Sequence, residues 1–266
     1  SFAISPAELE GAFDEGMRFD GSAIDGFSRV QESDVLARPD PNSFELLPWA
    51  DSYGTSARMF CDITNIDGTP FEGDPRQVLR RNLEAAHQTG YSFFVAPEME
   101  FFYFADGEPT HAPKPLDSGS YFDLTTSDVA SDLRRETISV LETMGIPVEY
   151  SCHEDSPSQH EIDLRYTDAM SMADQIMTFR LVVRELALER GRFASFMPKP
   201  LEGMQGSGMH LHVSLAGADG KNAFASDEDA NELLRFAIGG MKATMADCMA
   251  IFAPNANSYR RFRKSS

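Results

Sequence analysis

The chain has 266 residues, of which 42% are hydrophobic and 24% are charged, and its net charge is −19. These fractions are typical of a folded protein and exclude wholesale disorder. Nucleic acid and anionic membranes attract clustered lysine and arginine. The acidic charge therefore argues against both as main partners and favours a protein that holds cations.

The cysteines are few and scattered, at Cys61, Cys152 and Cys248. They are too few for a disulfide framework and indicate reduced thiols. The opening residues lack the basic and apolar regions of a signal peptide, and no apolar run is long enough to cross a bilayer. We therefore expect a cytoplasmic protein.

The first part of the chain predicts one helix followed by short strands and loops. A helix is expected over residues 6–15, with Ser5 as its N-cap and Glu8 completing a capping box. Frequent glycine, serine and proline between residues 19 and 49 exclude one long element and predict short strands joined by loops. Residues 57–63 predict a further strand.

Helices and strands are interspersed through the rest of the chain. In chain order we predict a helix over 74–90, a strand over 91–104, a helix over 127–144, two short strands within 148–166, a helix over 168–190, a strand over 209–215 and a helix over 227–252 with a weak point at Gly239-Gly240. Several neighbouring strands have the pattern of antiparallel pairs, so we predict an α+β fold.

One predicted strand, APEMEFF, carries two carboxylates. The period of a strand puts Glu98 and Glu100 on one face and Met99 on the other. Like charges side by side on an apolar strand are unfavourable, and a divalent cation relieves the repulsion. The alternative is a solvated strand face.

Two further segments carry metal-type ligands. In GSGMHLHVSL, His210, His212 and Ser214 share one strand face just after a glycine-rich turn, where backbone can approach a ligand closely. A lone histidine on a strand is more often a core or surface residue than a ligand. Glu154 and Glu161 flank a loop whose reversal can bring them together, although acidic residues beside a loop are usually only solvated.

These ligand types favour Mg²⁺ or Mn²⁺ over zinc, and we expect no cysteine to bias the site toward zinc. Carboxylate-bound hard cations commonly hold nucleotide phosphates, yet GxxxxGK[ST] does not occur, which excludes a P-loop enzyme. Lys199 and the pair Arg260-Arg261 are candidates to hold anionic substrate groups. Surface solubility is an equally good account of the arginine pair.

Four motifs together resemble the glutamine synthetase family: APEMEFF, the segment from HE to QHEIDLRY, ASFMPKP with GSGMHLHVSL, and APNANSYRRF. FDGSAIDGF and ESDVLARPDP resemble a loop of the family's N-terminal domain, and the resemblance covers essentially the whole chain. It implies that residues 1–68 are a partial β-grasp domain. Residues 69–266 would be the first part of a catalytic domain, a curved antiparallel sheet backed by helices.

The resemblance implies an activity and an assembly. The activity is ATP-dependent ligation of L-glutamate to ammonia through γ-glutamyl phosphate, with ATP and two or three Mg²⁺ or Mn²⁺ ions bound. The assembly is a ring-shaped homo-oligomer with active sites between subunits. Metal ions at such a site neutralise charge on the transferred phosphoryl group.

The resemblance also implies metal and nucleotide ligands. The residues matching metal ligands are Glu100, Glu154 and Glu161 for a first ion, and Glu98 and His210 for a second. The residues matching nucleotide contacts are Glu149, His212 and Ser214, with Tyr166 near the base.

Four residues match substrate positions of the family. Gly206 and Arg261 match positions that bind glutamate. Tyr121 and Asp20 match residues around the ammonium site, and in the family the equivalent of Asp20 reaches into the neighbouring subunit's site. An anionic rim would attract an ammonium or alkylammonium ion and help it lose a proton.

Some positions depart from the family pattern. Ala23 replaces the second serine of FDGSS, Gln205 replaces an asparagine before GSGMH, and RKSS at 263–266 replaces a proline-glycine turn. The chain is also expected to be truncated at both ends and inactive alone, because the flap glutamate, one more metal ligand and further basic residues of the family lie downstream.

Three alternatives to an ammonia ligase stay open. The departures fall around the acceptor and glutamate positions, so a γ-glutamylpolyamine or other γ-glutamylamide synthetase, using a small amine, is one alternative. A non-catalytic oligomeric scaffold paralogue is another, although every metal ligand expected in this stretch is present. The third is a metal-dependent hydrolase that uses no nucleotide.

Overall fold

The structure is a computed structural model that describes residues 1–24, 26, 34–49, 54–108, 111–123, 129–225 and 231–262. The chain folds as two compact units, Ser1–Tyr91 and Ser92–Ser266. Among the described residues, no helix combines the length and the apolar character needed to span a membrane.

The first unit begins with a 3-10 turn, Pro6–Glu8, that runs into helix α1 (Leu9–Asp14). The predicted capping box is wrong, because the Ser5 side chain makes no capping hydrogen bond. The Glu8 N–H instead donates to the Ser5 backbone carbonyl at 3.0 Å, which closes a tighter turn than an α-helix has.

Short antiparallel strands follow, as predicted. Strands β1 (Met17–Asp20), β2 (Asp34–Pro39) and β5 (Cys61–Asn65) form one sheet in the order β1-β2-β5, and β3 (Glu45–Leu46) pairs with β4 (Ala57–Arg58). Part of the predicted loop region, at 25 and 27–33, lies outside the described residues, as do residues 50–53 after it.

The single strand predicted over 57–63 is wrong, because β4 and β5 are separate. The break is at Phe60, whose N–H donates to the Ser43 hydroxyl and whose carbonyl accepts from the Asp40 N–H, both at 2.8 Å. These bonds engage Phe60 with a 3-10 turn, Pro41–Ser43, which interrupts the run of residues predicted as one strand.

Helix α2 (Pro75–Gln88) ends the first unit and begins where the sequence predicts. The Asp74 carboxylate caps it by accepting from the Arg76 N–H at 3.0 Å. Its other oxygen accepts from the Ile63 N–H at 2.9 Å, which fastens the helix to β5.

The second unit is built on one long strand, β6 (Ser92–Phe104), and every pairing in its sheet is antiparallel. Along one edge β6 pairs with β8 and β9, and along the other with β10 and β11. Strand β7 lies beyond β8. The bounds are Val148–His153 for β7, Gln159–Leu164 for β8, Thr167–Asp168 for β9, Phe193–Ser195 for β10 and Met209–Ala216 for β11. The predicted α+β class is confirmed.

Helices α3 (Val129–Thr143) and α4 (Ala169–Glu189) contact the sheet and each other. The Asp168 carboxylate caps α4 by accepting from the Ser171 N–H at 3.0 Å. The first two residues of the helix predicted over 127–144 lie outside the described residues.

The core of the second unit contains aromatic rings of β6 and α4. Phe101 is fully buried, and its ring contacts those of Tyr103, His160, Phe179 and Phe196 at centroid distances of 5.0 to 6.2 Å. This packing fixes the β6 backbone that carries Glu98 and Glu100.

Two helices end the described chain, α5 (Glu232–Phe252) and α6 (Ala256–Arg261). Asn231 caps α5, and the residues before it, back to the predicted start at 227, are outside the described chain. The helix continues through Gly239-Gly240, so the predicted weak point does not interrupt it. Neither α6 nor β10 was predicted from the sequence.

Candidate active site

The sheet register brings the candidate ligands of three strands into two neighbouring rows. In one row, Glu98 of β6 is directly opposite His210 of β11 and Asp163 of β8. In the next row, Glu100 is directly opposite Glu161 of β8. Directly opposite residues of an antiparallel sheet point to the same face. The predicted common face of Glu98 and Glu100 is therefore confirmed.

Glu154 joins the second row at the end of β7. The Sγ atom of Cys152 lies 3.6 Å from Oε1 of Glu154 and 3.9 Å from Oε1 of Glu161. One ligand atom from each of the three residues lies within 4.8 Å of the other two. The reversal between β7 and β8 therefore does bring the two predicted carboxylates together.

The electrostatics of this group favour a cation. Burial, followed by the negative charges of Asp163, Glu154 and Glu100, raises the pKa of Glu161 to about 8. Burial also raises the pKa of Glu100, and the charge of Glu154 adds to the effect. Carboxylates this close to one another are the kind of oxygen-donor group that holds Mg²⁺ or Mn²⁺.

Cys152 lies in this group, so the expectation that no cysteine biases the site is wrong. Cys152 is directly opposite Glu161, a pairing that depends on the β7–β8 register and that the local sequence does not show. Burial, together with the charges of Glu161 and Glu154, raises the pKa of the thiol to about 12. The thiol is therefore protonated at neutral pH in the ion-free protein, but it adds a soft ligand atom to an oxygen-rich group.

Glu98 accepts hydrogen bonds from two histidines of β11. Its Oε2 lies 2.7 Å from Nδ1 of His210, and its Oε1 lies 2.5 Å from Nε2 of His212. These two hydrogen bonds lower the pKa of Glu98. Glu98 and His210, the residues implied for the second metal ion, are therefore in direct contact. His212, which is implied in nucleotide binding, contacts the same carboxylate.

A cavity of about 530 Å³ lies beside Glu98 on the same sheet. It is lined by Ala96, Pro97, Glu98, Glu149, Tyr150, Asp163, Leu164, Tyr166, His212, Val213 and Ser214. All four residues implied in nucleotide binding are in this set. A larger cavity, of about 660 Å³, is lined by Arg180, Arg184 and Leu188 of α4, by residues 193–198, and by Asn255 and Asn257.

The turn before β11 brings Arg261 close to the carboxylates. A Cβ atom at Gly206 would lie 2.2 Å from the Pro198 carbonyl oxygen and 3.1 Å from Cγ of Arg261, so only glycine fits there. A Cβ atom at Gly208 would lie 3.0 Å from Nη1 of Arg261 and 3.3 Å from Oε1 of Glu100. The glycines thus allow a guanidinium to approach the second row.

Asn257 holds α6, and with it Arg261, against the segment that contains Lys199. Its side-chain amide donates to the Lys199 carbonyl at 3.0 Å and accepts from the Lys199 N–H at 2.7 Å. The Lys199 ammonium donates to the Met204 carbonyl. Two of the three predicted anion-binding candidates, Lys199 and Arg261, therefore border the same turn.

The two residues implied for the ammonium site lie in different units. Tyr121 is 52% exposed, and loss of hydration together with the charge of Glu154 raises the pKa of its hydroxyl. Asp20 is exposed and accepts from the Ser22 N–H at 2.9 Å and from the Ser22 hydroxyl at 2.6 Å. Locally Asp20 is thus a turn-forming aspartate, and its role at a subunit interface stays a prediction.

Sequence reasoning missed Asp163 and Gln159. Both lie two residues from Glu161, so the same period of two that selected other ligands places them on its face. Burial and the charge of Glu98 raise the pKa of Asp163 to about 6. Gln159 is fully buried and donates to Glu100.

A second group of titratable residues lies around Asp117. Its Oδ1 is 3.1 Å from Nε2 of His153, and its Oδ2 is 3.9 Å from Nε2 of His160. Although burial opposes it, hydrogen bonds from His153 and the Ser158 N–H lower the pKa of Asp117. Arg134 contacts Nδ1 of His160 at 2.6 Å, so this group links α3 to both strands that flank the Glu154–Glu161 loop.

Residues 72–266 match the glutamine synthetase catalytic domain, and residues 1–66 match the glutamine synthetase β-grasp domain. The chain belongs to the glutamine synthetase family. This confirms the resemblance read from the motifs, including a β-grasp domain followed by a catalytic domain. The domain boundary predicted between residues 68 and 69 stays a proposal. The two compact units of the structure divide later, after Tyr91.

Relatives and solved structures agree with this membership. The chain is 52% identical to a glutamine synthetase of Mycobacterium tuberculosis, over 98% of this chain and 60% of that protein, and 46% identical to one of Clostridium saccharobutylicum, over 97% and 59%. It thus spans about 60% of the length of these curated relatives.

Two solved structures have similar folds. A ligand-free GmaS structure is similar with a TM-score of 0.90 and 28% identity, over 98% of this chain and 62% of that chain. A cryo-EM structure of Plasmodium falciparum glutamine synthetase is similar with a TM-score of 0.87 and 25% identity, over 97% and 56%.

Proposed function

We propose that the full-length protein ligates L-glutamate to ammonia at the expense of ATP, through γ-glutamyl phosphate. The observation that carries the proposal is the pair of ligand rows, Glu98–His210 and Glu100–Glu161, beside a cavity that contains every residue implied for the nucleotide. The names of the relatives at 46–52% identity support the same reaction.

Divalent ions fit the residues present. Glu100, Glu154 and Glu161 would bind one Mg²⁺ or Mn²⁺, and Glu98 with His210 would bind a second. The raised pKa of Glu161, which arises partly from neighbouring carboxylates, supports this fit because a cation would relieve that repulsion. Bound ions supply electrostatic stabilisation of the phosphoryl groups.

The protein's own side chains bind and orient the substrates. Arg261, next to Gly206, is a fixed cation suited to the carboxylate of glutamate. Glu149, His212, Ser214 and Tyr166 would contact ATP, with Tyr166 near the base. A GmaS structure in complex with ADP, similar with a TM-score of 0.88, supports a nucleotide in this fold.

The acceptor amine would bind near Tyr121 and Asp20. We propose that Asp20 faces the Glu154/Glu161 group of the next subunit in a ring-shaped homo-oligomer. There its carboxylate would hold an ammonium ion by charge-assisted hydrogen bonds and favour loss of a proton.

The three free cysteines support a reducing, cytoplasmic location.

A γ-glutamylpolyamine or other γ-glutamylamide synthetase is the second candidate. The observation that favours it is Gln205, which departs from the family's asparagine. The Gln205 side-chain amide donates to the Asp155 carboxylate at 3.0 Å, and the Gln205 backbone carbonyl accepts from the Ser156 hydroxyl at 3.0 Å. Gln205 precedes Gly206 in the chain, and its partner Asp155 follows Glu154. The departure therefore borders both the glutamate-binding turn and a proposed metal ligand.

A phosphate-release assay on the full-length protein tests both candidates. ATP, Mg²⁺ and L-glutamate are supplied with ammonium, alkylamines or polyamines, and Glu161→Ala is the control. We expect release that requires glutamate and is highest with ammonium. Highest release with a larger amine would favour the second candidate. Release independent of glutamate would indicate the hydrolase alternative, and no release with retained ATP binding would indicate a non-catalytic scaffold.

A further inference from the structure

Gln159 connects the Glu100 side chain to the turn that contains Gly206. Its Nε2 lies 2.9 Å from Oε2 of Glu100 and 3.2 Å from the Gly206 carbonyl oxygen. The same nitrogen is 3.5 Å from the Ser207 hydroxyl. Gln159 is fully buried, so water does not replace these partners.

The chemistry of the partners fixes which way the amide points. A carboxylate and a carbonyl only accept hydrogen bonds, so the NH₂ group must face Glu100 and Gly206. The amide oxygen faces the other way and accepts from the Ser156 N–H at 3.3 Å. The reversed amide would set oxygen against oxygen at buried positions, which is unfavourable.

We propose that Gln159 is a positioning residue that couples metal binding to glutamate binding. One NH₂ group holds a carboxylate of the first metal site and the backbone of the glutamate-binding turn at a fixed separation. A metal ion that orients Glu100 therefore also orients the Gly206 turn. This inference rests on the proposed function, because it takes its two sites from there.

The coupling has a thermodynamic consequence that can be measured. If the ion orders the glutamate turn through Gln159, then Mn²⁺ raises glutamate affinity, and glutamate raises Mn²⁺ affinity by the same factor. Removing the NH₂ group leaves each ligand its own contacts but separates the two sites. The coupling factor then falls to the part that comes from direct attraction between Mn²⁺ and the glutamate anion.

The test compares Gln159→Met with the wild type in the full-length protein. Methionine has a similar volume and no hydrogen-bond donor. Calorimetry gives the dissociation constant of glutamate with and without Mn²⁺, and that of Mn²⁺ alone. We expect the coupling factor to fall at least threefold, with KM for glutamate raised and KM for ATP changed less than twofold.

Two controls separate coupling from general damage. Gln77→Met makes the same change at a buried glutamine of α2 and should leave the coupling factor unchanged. Ser156→Ala removes a hydrogen bond to the same turn, the one to the Gln205 carbonyl, without contacting Glu100. It should keep the coupling. Equal losses in Ser156→Ala and Gln159→Met would overturn the inference, because loosening of the turn would then suffice.

Failure of this inference is distinguishable from failure of the proposed function. The proposed function fails if the wild type releases no phosphate in response to glutamate and an amine. The inference fails if Gln159→Met retains the wild-type coupling factor, or if Mn²⁺ and glutamate bind the wild type independently. Each of these binding measurements is informative whatever the catalysed reaction is.

Discussion

At the scale of single residues, the two-residue period of a strand predicted which candidate ligands share a face. The pairing of neighbouring strands determined which further residues lie beside them. Glu98 with Glu100, and His210 with His212, are two apart on one strand, so the local sequence suffices for them. Cys152 could not be predicted. It meets Glu161 only through the pairing of β7 with β8, which no local pattern specifies.

The raised pKa of Glu161 predicts how the stability of the protein changes with pH. Its pKa is raised from 4.5 to about 8 in the folded, ion-free protein. A raised carboxyl pKa contributes stability that is fully present below the unfolded value, about pH 4.5, and is lost as pH rises through about 8. We expect the thermal midpoint in a chelator to fall over this window, and Mn²⁺ to raise it most at the alkaline end.

Glu161→Gln is the matched control for this pH dependence, because it keeps the shape of the side chain and removes the ionisation. Its midpoint in chelator should fall less between pH 5 and pH 8 than that of the wild type, and Mn²⁺ should stabilise it less. A wild-type slope in Glu161→Gln would show that Glu161 is not the group that carries the effect.

At the scale of elements, capping signals predicted the starts of α2 and α4 correctly, whereas contacts between elements decided the break between β4 and β5. Asp74 and Asp168 cap α2 and α4 where the sequence indicates, because an N-cap depends only on neighbouring residues. The break at Phe60 depends on hydrogen bonds to Ser43 and Asp40, about twenty residues earlier in the chain. Tertiary contacts of this kind have no local signature, so the single strand over 57–63 was predicted wrongly.

Strand β6 makes a prediction about the core. Phe101 is fully buried among four rings, so Phe101→Ala should destabilise the second unit by about 3–5 kcal/mol through lost burial and a cavity. Denaturant unfolding of the full-length protein measures the change. A change smaller than about 1 kcal/mol, the size expected at a surface position, would contradict the assigned core.

At the scale of the whole molecule, the motifs predicted the family and the α+β architecture, and composition predicted an acidic protein that holds cations. Glu98, Glu100 and Glu161 share one face of the sheet, and Glu154 lies next to Glu161. The proposed subunit arrangement could not be derived from a single chain, because an interface depends on the surfaces of two chains. Asp20 is the residue whose proposed role depends most on that arrangement.

The proposed shared site predicts complementation between two inactive variants. Asp20→Asn removes the charge and keeps the shape, so it should reduce amine use much more than ATP binding. Mixed oligomers of Asp20→Asn and Glu161→Ala subunits should regain activity, because one kind of interface combines an intact Asp20 with an intact Glu161. Phosphate release after co-expression measures this. No recovery in rings shown to be mixed would place Asp20 outside the neighbour's site.

The proposed metal sites are tested most directly by a crystal of the full-length protein soaked in Mn²⁺ and measured at the manganese absorption edge. We expect an anomalous peak with carboxylate oxygens of Glu100, Glu154 and Glu161 at about 2.0–2.6 Å from it. A second peak is expected next to Glu98 and His210. Manganese bound only at other places, with no peak among the three carboxylates, would contradict the proposed metal sites.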